Sequence, residues 1–143
     1  QAASQDGITL WISSGYRSPT LQAQLYQQEI DNNLAKGMTE NEAVEAADRA
    51  VQKPGYSEHN TGLAMDFNTV NDSFKNTNTY AWLMEHAEDY GFVLRYPEDK
   101  EDITGIMYEP WHFRYVGVEH AKKMNELHMC LEEYIEYVRS QQS

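Results

Sequence analysis

The segment at residues 57–67 reads SEHNTGLAMDF and combines a polar turn with a predicted β-strand. Its first half is polar and closes at Gly62, a residue that permits a sharp turn. Its second half alternates in the manner of a β-strand. Three apolar side chains of that strand are predicted to face the core: Leu63, Met65 and Phe67. Asp66 then lies on the opposite side, next to the small Ala64, where there is room for a cleft.

Three further strands are predicted on either side of this stretch, from runs rich in β-branched and aromatic residues: Ile8–Ser14, Phe92–Tyr96 and Trp111–Val116. Between Phe92–Tyr96 and Trp111–Val116, the polar segment Pro97–Asp102 is predicted to be a loop. The connections are short enough for antiparallel pairing.

The predicted helices have recognisable starts and stops. Ser18 and Pro19 suit the N-cap and first helical position of a helix whose apolar side carries Leu21, Leu25 and Ile30. Thr39 and Glu42 form a capping box, and the helix continues through Ala43–Val51 to a stop at Pro54-Gly55. Apolar periodicity predicts two more helices: Thr79–Tyr90, ended by Gly91, and a single long helix over Glu119–Arg139. Helices and strands alternate irregularly, which favours an α+β domain with a small, mostly antiparallel sheet and flanking helices.

Composition limits the possible partners and metal sites. The net charge is −12, with 11 Lys and Arg against 23 Asp and Glu, so nucleic acid and anionic membrane surfaces are poor partners. No apolar run approaches the roughly 20 residues that cross a bilayer. The single cysteine, Cys130, excludes an intrachain disulfide and is predicted to be packed in the interior. Any metal site must therefore consist of histidines and carboxylates.

Two histidines lie in segments that do not resemble core: His59 in the polar loop and His112 in the segment EPWH at residues 109–112. With Asp66 they supply two imidazoles and one carboxylate, a familiar catalytic zinc shell that leaves a fourth position for water. Glu109 is placed to act as a base if Pro110 bends the chain. A guanidinium suits an oxyanion or a substrate carboxylate, and Arg17 lies at the end of the first strand.

A purely structural interpretation also fits these residues. His59 would cap a turn, Asp66 would pair with an arginine, and His112 would pack beside Trp111. The remaining histidines are predicted to have no functional role: His86, His120 and His128. The acidic stretches at residues 40–45 and 132–136 are predicted to be solvated helix faces.

Three motifs in a fixed order favour the catalytic interpretation of these residues over the structural one. Residues 57–66 fit Ser-x-His-x-x-Gly-x-Ala-x-Asp, residues 109–112 fit Glu-x-Trp-His, and SGYRS at residues 14–18 precedes both. Together they resemble the VanY-type D-alanyl-D-alanine carboxypeptidases, which are related to VanX-like dipeptidases and L,D-carboxypeptidases. The resemblance runs from about residue 8 to residue 117 and implies the antiparallel fold shared with Hedgehog signalling domains.

The resemblance also implies roles for individual residues. One Zn²⁺ would be held by His59, Asp66 and His112, with Glu109 as catalytic base and Arg17 stabilising substrate and transition-state charge. Four further residues match or flank the substrate site: Ser57, Gln22, Tyr16 and Trp111. The last two could equally belong to the core.

The function implied is removal of the terminal D-alanine from peptidoglycan stem peptides or precursors that end in D-Ala-D-Ala. One alternative is an L,D-carboxypeptidase that acts on the tetrapeptide stem; another is a zinc-bearing binding module without catalysis. We expect residues 1–143 to form one catalytic domain and to act as a monomer at the extracytoplasmic face of a bacterial envelope. No signal peptide is recognisable, and we expect an N-terminal anchor or leader to be missing.

Overall fold

The computed structural model describes residues 1–53 and 55–142, so Pro54 of the predicted helix stop lies outside the described residues. The strands are β1 (Ile12–Ser14), β2 (Ala64–Phe67), β3 (Phe92–Leu94) and β4 (His112–Tyr115). The helices are α1 (Ala2–Gln5), α2 (Pro19–Ala35), α3 (Glu40–Ala50), α4 (Asn78–His86), α5 (Glu101–Thr104), α6 (Val118–Leu127) and α7 (Leu131–Gln141). Short 3₁₀ segments occur at Glu58–Asn60, Asp72–Asn76 and Ala87–Tyr90. None of the described helices is both long and apolar enough to span a bilayer.

The four strands form one antiparallel sheet in the order β1-β2-β4-β3. β2 and β4 are the central strands, and their register sets Asp66 directly opposite His112. Helices pack around this sheet, so the predicted α+β class with a small antiparallel sheet is confirmed. The pairing of β2 with β4 is the feature that joins two sequence motifs 46 residues apart.

The apolar interior has two clusters. One gathers Phe67, Phe74, Leu83, Ala87 and Phe113, and the other gathers Val93, Ala121, Met124 and Tyr134. Met65 packs against the first cluster, as its strand position predicts. Leu63 was predicted to face the core, and this is wrong, because it precedes β2 and is 38% exposed.

Both predicted N-caps are present. The Ser18 hydroxyl accepts from the Leu21 N–H, and Thr39 forms the full capping box with Glu42. The predicted apolar side of α2 is only partly correct, however, because Leu25 and Ile30 are half-buried but Leu21 is not. Leu21 is 44% exposed, whereas the buried residues of α2 are Gln22 and Asn33. The Asn33 amide donates to the Ala43 carbonyl, so α2 and α3 are joined by buried polar contacts there.

The predicted single helix over Glu119–Arg139 is two helices. α6 ends where His128 adopts a left-handed φ of 54°, and α7 starts after Cys130. The Met129 N–H donates to the Met124 carbonyl, which closes the end of α6. Cys130 is buried, as predicted, and its backbone N–H is held by the Glu133 carboxylate at 3.0 Å.

Element boundaries also differ from the sequence prediction. The strand predicted over Ile8–Ser14 is regular only from Ile12, because the side chain of Asn68 binds the backbone of Thr9 and Trp11 in place of ladder pairing. The predicted loop Pro97–Asp102 runs into the short helix α5. The predicted helix over Thr79–Tyr90 tightens to 3₁₀ after His86 and does end at Gly91, whose φ is 86°.

Candidate metal centre and cleft

The three predicted ligands converge on one point. Asp66 lies in β2, His112 is the first residue of β4, and His59 lies on the 3₁₀ turn before β2. Asp66 Oδ1 is 3.2 Å from His59 Nε2 and 3.0 Å from His112 Nδ1. All three residues are buried, each 5% exposed or less.

The outward nitrogen of each imidazole already has an acceptor. His59 Nδ1 lies 2.7 Å from the Gly15 carbonyl, and His112 Nε2 lies 3.3 Å from Glu58 Oε1. If each outward nitrogen carries the proton, the inward lone pairs of both rings face the Asp66 carboxylate. Three acceptor atoms facing one another require a cation or a shared proton between them.

The spacing suits a metal ion. The ligand atoms of His59, Asp66 and His112 all lie within 4.8 Å of one another. Ligands about 2.1 Å from a tetrahedral Zn²⁺ lie about 3.4 Å apart. This is close to the 3.2 and 3.0 Å that separate Asp66 Oδ1 from the nitrogens of His59 and His112. Without a metal, burial lowers the pKa of His112, but its hydrogen bonds with Asp66 and Glu58 outweigh this and raise the pKa to about 9.

Glu109 lines a cleft together with the three candidate ligands. The His112 N–H donates to the Glu109 carbonyl at 3.3 Å, so the chain bends in a tight turn over Pro110 and Trp111, as predicted. Glu109 is only 7% exposed. Burial raises the pKa of its carboxyl to about 8, although the charges of His112 and Arg17 oppose the rise.

Arg17 is fixed from several directions. Its Nη1 donates to Gln22 Oε1 at 2.8 Å and its Nη2 to Ser14 Oγ at 3.0 Å. Its Nη2 also lies 3.7 Å from Asp66 Oδ2. Its backbone N–H donates to the carbonyl of His59 at 2.8 Å, so the arginine and the ligand-bearing turn are directly linked. The guanidinium is therefore held at the edge of the candidate metal centre.

Comparison with known proteins identifies the family. The family model described as VanY, D-alanyl-D-alanine carboxypeptidase, matches residues 1–118. The chain belongs to the VanY family. This confirms the resemblance inferred from the three motifs.

Relatives of the VanY family include enzymes of two specificities. A D-alanyl-D-alanine carboxypeptidase of Enterococcus faecalis (strain ATCC 700802 / V583) is 42% identical over 94% of this chain and 50% of that protein. A vancomycin-resistance D,D-pentapeptidase VanY, a mutant in complex with Zn(II), is 43% identical, with a TM-score of 0.85 over 94% of this chain and 75% of that chain. The LD-carboxypeptidase LdcB is 40% identical, with a TM-score of 0.81 over 94% of this chain and 62% of that chain. The chain spans about half the length of the curated relatives it matches.

The cleft of this VanY-family chain has a volume of about 760 Å³. Ser57, Gln22 and Trp111 line it, together with the metal-centre residues. Gln22 is 1% exposed and is occupied in holding Arg17. Tyr16 was expected to line the pocket, but it is 68% exposed and is not among the described residues that line the cleft.

Glu58 is the buried site residue that sequence reasoning missed. Its Oε2 accepts from Arg95 Nε and from Arg114 Nη1, both at 2.6 Å, while its Oε1 faces His112. Burial raises the pKa of Glu58, but the hydrogen bond with His112 and the charge of Arg95 outweigh it and hold the pKa at about 2. The sequence contained one signal for a buried acidic partner near His112. Arg114 is two residues after His112, and strand alternation puts both side chains on one face.

Proposed function

We propose that this chain is a zinc-dependent D,D-carboxypeptidase that releases the terminal D-alanine from peptidoglycan stem peptides or precursors ending in D-Ala-D-Ala. One observation carries the proposal: the acceptor atoms of His59, Asp66 and His112 converge within a cleft that also holds Glu109 and Arg17. The family description and the related D,D-pentapeptidase support the substrate class.

The proposed cofactor is one Zn²⁺ held by His59, Asp66 and His112. The two-imidazole, one-carboxylate donor set suits zinc, and Zn(II) is the ion in the related D,D-pentapeptidase structure. When bound, zinc supplies Lewis-acid chemistry that polarises a carbonyl and makes water easier to deprotonate near neutral pH.

Glu109 is proposed to take the proton of the attacking water and to pass it to the leaving amine. A general base works best when its pKa lies near the operating pH, and burial brings Glu109 toward that range. A bound dication would lower the pKa of this carboxyl and make more of the ionised form available. The turn over Pro110 aims Glu109 into the cleft beside His112.

Arg17 is proposed to bind negative charge on the substrate. A peptide ending in D-alanine carries a terminal carboxylate, and its hydrolysis develops a second negative charge on the scissile carbonyl oxygen. The anchoring of Arg17 by Ser14 and Gln22 fixes the guanidinium before substrate arrives. Ser57 and Trp111 are proposed to contact the terminal residue, with Gln22 acting mainly through Arg17.

The L,D-carboxypeptidase alternative has a specific observation in its favour. The LD-carboxypeptidase LdcB is nearly as similar to this chain as the D,D-pentapeptidase is, with TM-scores of 0.81 and 0.85. The two activities differ in the chirality of the residue before the scissile bond. The non-catalytic alternative is disfavoured because both Glu109 and Arg17 are retained in the cleft.

The proposed partner is the stem peptide, and the proposed place of action is the cell envelope. We also propose that the chain acts as a monomer, since all the residues assigned to the chemistry come from one copy.

The decisive experiment incubates the zinc-loaded protein with a pentapeptide ending in D-Ala-D-Ala and, in parallel, with the tetrapeptide. Free D-alanine is measured. We expect release from the pentapeptide, loss of release with a chelator, and loss with Glu109→Gln. Release from the tetrapeptide alone would favour the L,D alternative, and no release from either by stoichiometrically loaded protein would refute the proposal.

A further inference from the structure

A chain of three buried charged or titratable residues and one half-buried glutamate connects the candidate metal centre to the last helix. It runs from His112 through Glu58 and Arg95 to Glu132 in α7. The guanidinium of Arg95 binds both carboxylates. Its Nε donates to Glu58 at 2.6 Å, and its Nη1 and Nη2 donate to Glu132 at 2.7 and 3.0 Å. Helix α7 lies beyond residues 1–118, which the family model matches.

Glu58 is a neighbour of one candidate ligand in sequence but contacts a different candidate ligand in the folded chain. It directly precedes His59, yet its side chain turns toward the ring of His112. A buried carboxylate is costly unless it is paired, and here two guanidiniums, from Arg95 and Arg114, share its Oε2. This pairing occupies Oε2 and leaves Oε1 to accept from the Nε2–H of His112.

The direction of that hydrogen bond has a consequence for the metal. An imidazole that donates from Nε2 presents its lone pair at Nδ1, and Nδ1 is the atom that faces Asp66 at 3.0 Å. An ionised acceptor also makes the ring a stronger electron donor than a neutral acceptor does. Glu58 therefore selects both the protonation pattern and the orientation that a metal bound at His112 requires.

We propose that Glu58 is a positioning residue for the ligand His112, and that Glu132 of α7 holds Glu58 in place through Arg95. The inference rests on the proposed zinc site and adds to it a contribution from a helix outside the matched family region. The negative stretch at residues 132–136 is thus not simply a solvated face, because Glu132 is committed to Arg95.

The structure offers a matched control next to Glu132. Glu133 also lies in the first turn of α7 and also forms an ion pair, with Lys100 at 2.9 Å, and its exposure is similar to that of Glu132, at 30% against 33%. It caps α7 through the Cys130 N–H but has no link to His112. Glu133→Gln and Glu132→Gln should both loosen α7, but only Glu132→Gln breaks the chain to the ligand.

The test measures zinc affinity by competition with a chromophoric chelator, on protein shown to be folded by circular dichroism. We expect Glu58→Gln to weaken zinc binding by about 10- to 100-fold, the usual effect of removing a partner of a ligating histidine. Glu132→Gln should weaken it by a smaller factor, because Arg114 still pairs with Glu58. Glu133→Gln should leave the affinity unchanged while lowering the free energy of unfolding.

A proton NMR signal gives a second readout. In the zinc-loaded protein the Nε2–H of His112 should be downfield and slow to exchange, and Glu58→Gln should move it upfield. Wild-type zinc affinity in Glu58→Gln would overturn the positioning role, and equal affinities in Glu132→Gln and Glu133→Gln would overturn the role of α7. Failure of the unsubstituted chain to bind zinc would instead refute the proposed function itself, and the inference with it.

Discussion

We expect Glu109→Gln to stabilise the metal-free protein and to lower the activity of the zinc-loaded protein. The gain in stability should increase with pH. The ordinary pKa of a glutamate is 4.5, but burial raises that of Glu109 to about 8 in the metal-free protein. At pH 7 the unfolded chain therefore carries an ionised Glu109, and the folded chain must take up a proton to bury it. Glutamine is neutral, has nearly the same shape, and avoids this cost.

The magnitude follows from the two pKa values. Because the folded pKa of this carboxyl lies above the unfolded one, its cost to folding is absent below pH 4.5, grows with pH and levels off above about pH 8. Each pH unit in that window adds about 1.4 kcal/mol. The cost is thus about 1 kcal/mol at pH 5 and about 3 kcal/mol at pH 7, as upper bounds, and Glu109→Gln should recover most of it.

The assay is urea unfolding of the metal-free protein, with chelator present, at pH 5 and pH 7. The free energy of unfolding of Glu109→Gln should exceed that of the unsubstituted chain, by a margin that widens from pH 5 to pH 7. Glu136→Gln, at a side chain that is 72% exposed, is the control and should show no such widening. With zinc restored, the same Glu109 variant should lose about 10²- to 10⁴-fold in kcat.

Two outcomes would refute this reasoning. A stability difference of equal size at both pH values would mean that the buried carboxyl does not take up a proton on folding. A variant that is less stable at pH 7 would mean that Glu109 makes favourable contacts in its ionised form. Retained turnover in Glu109→Gln would separately remove this residue from the proposed mechanism.

Three further predictions concern other parts of the chain. Arg17→Lys should lower kcat/KM by about 10²-fold in steady-state assays, because lysine lacks the planar fork that binds charge and both anchors at once. Gly91→Ala should cost about 2 kcal/mol or more in urea unfolding, since φ is 86° and a Cβ would lie 2.8 Å from the Tyr115 ring; unchanged stability would contradict the close contact. Thr39→Ala should cost about 1 kcal/mol by the same measurement, with activity unchanged, because it removes only a helix cap that is remote from the cleft.

Local signals in the sequence predicted two helix starts and one helix end correctly. Ser18, Thr39 and Gly91 act through backbone groups within a few residues of themselves, and each does in the structure what the sequence predicts. The alternation of β2 likewise placed Met65 and Phe67 toward the core and Asp66 toward the cleft. Leu63 and the strand ends were less predictable, because they depend on where a neighbouring strand stops.

Apolar periodicity failed where polar contacts decide the packing. The side of α2 that is buried carries Gln22 and Asn33, which are satisfied by partners on other segments that periodicity does not see. The long C-terminal helix was predicted as one because its apolar spacing continues across residue 128. The break at His128 lets α7 fold back so that Glu132 reaches Arg95, a contact 37 residues distant in sequence.

The fold class, the family and the residues that could hold a metal were predictable before folding was considered, because they depend on ordered motifs and on the types of donor atom available. The folded chain was needed to show that Glu58 belongs to the candidate site, that Tyr16 is not among the described residues lining the cleft, and that the last helix is broken. A buried charge is stable only next to its partners, and those of Glu58 come from β4 and from the residue after β3, which is itself paired with α7. Their proximity is created by strand pairing and helix packing, which no local pattern encodes.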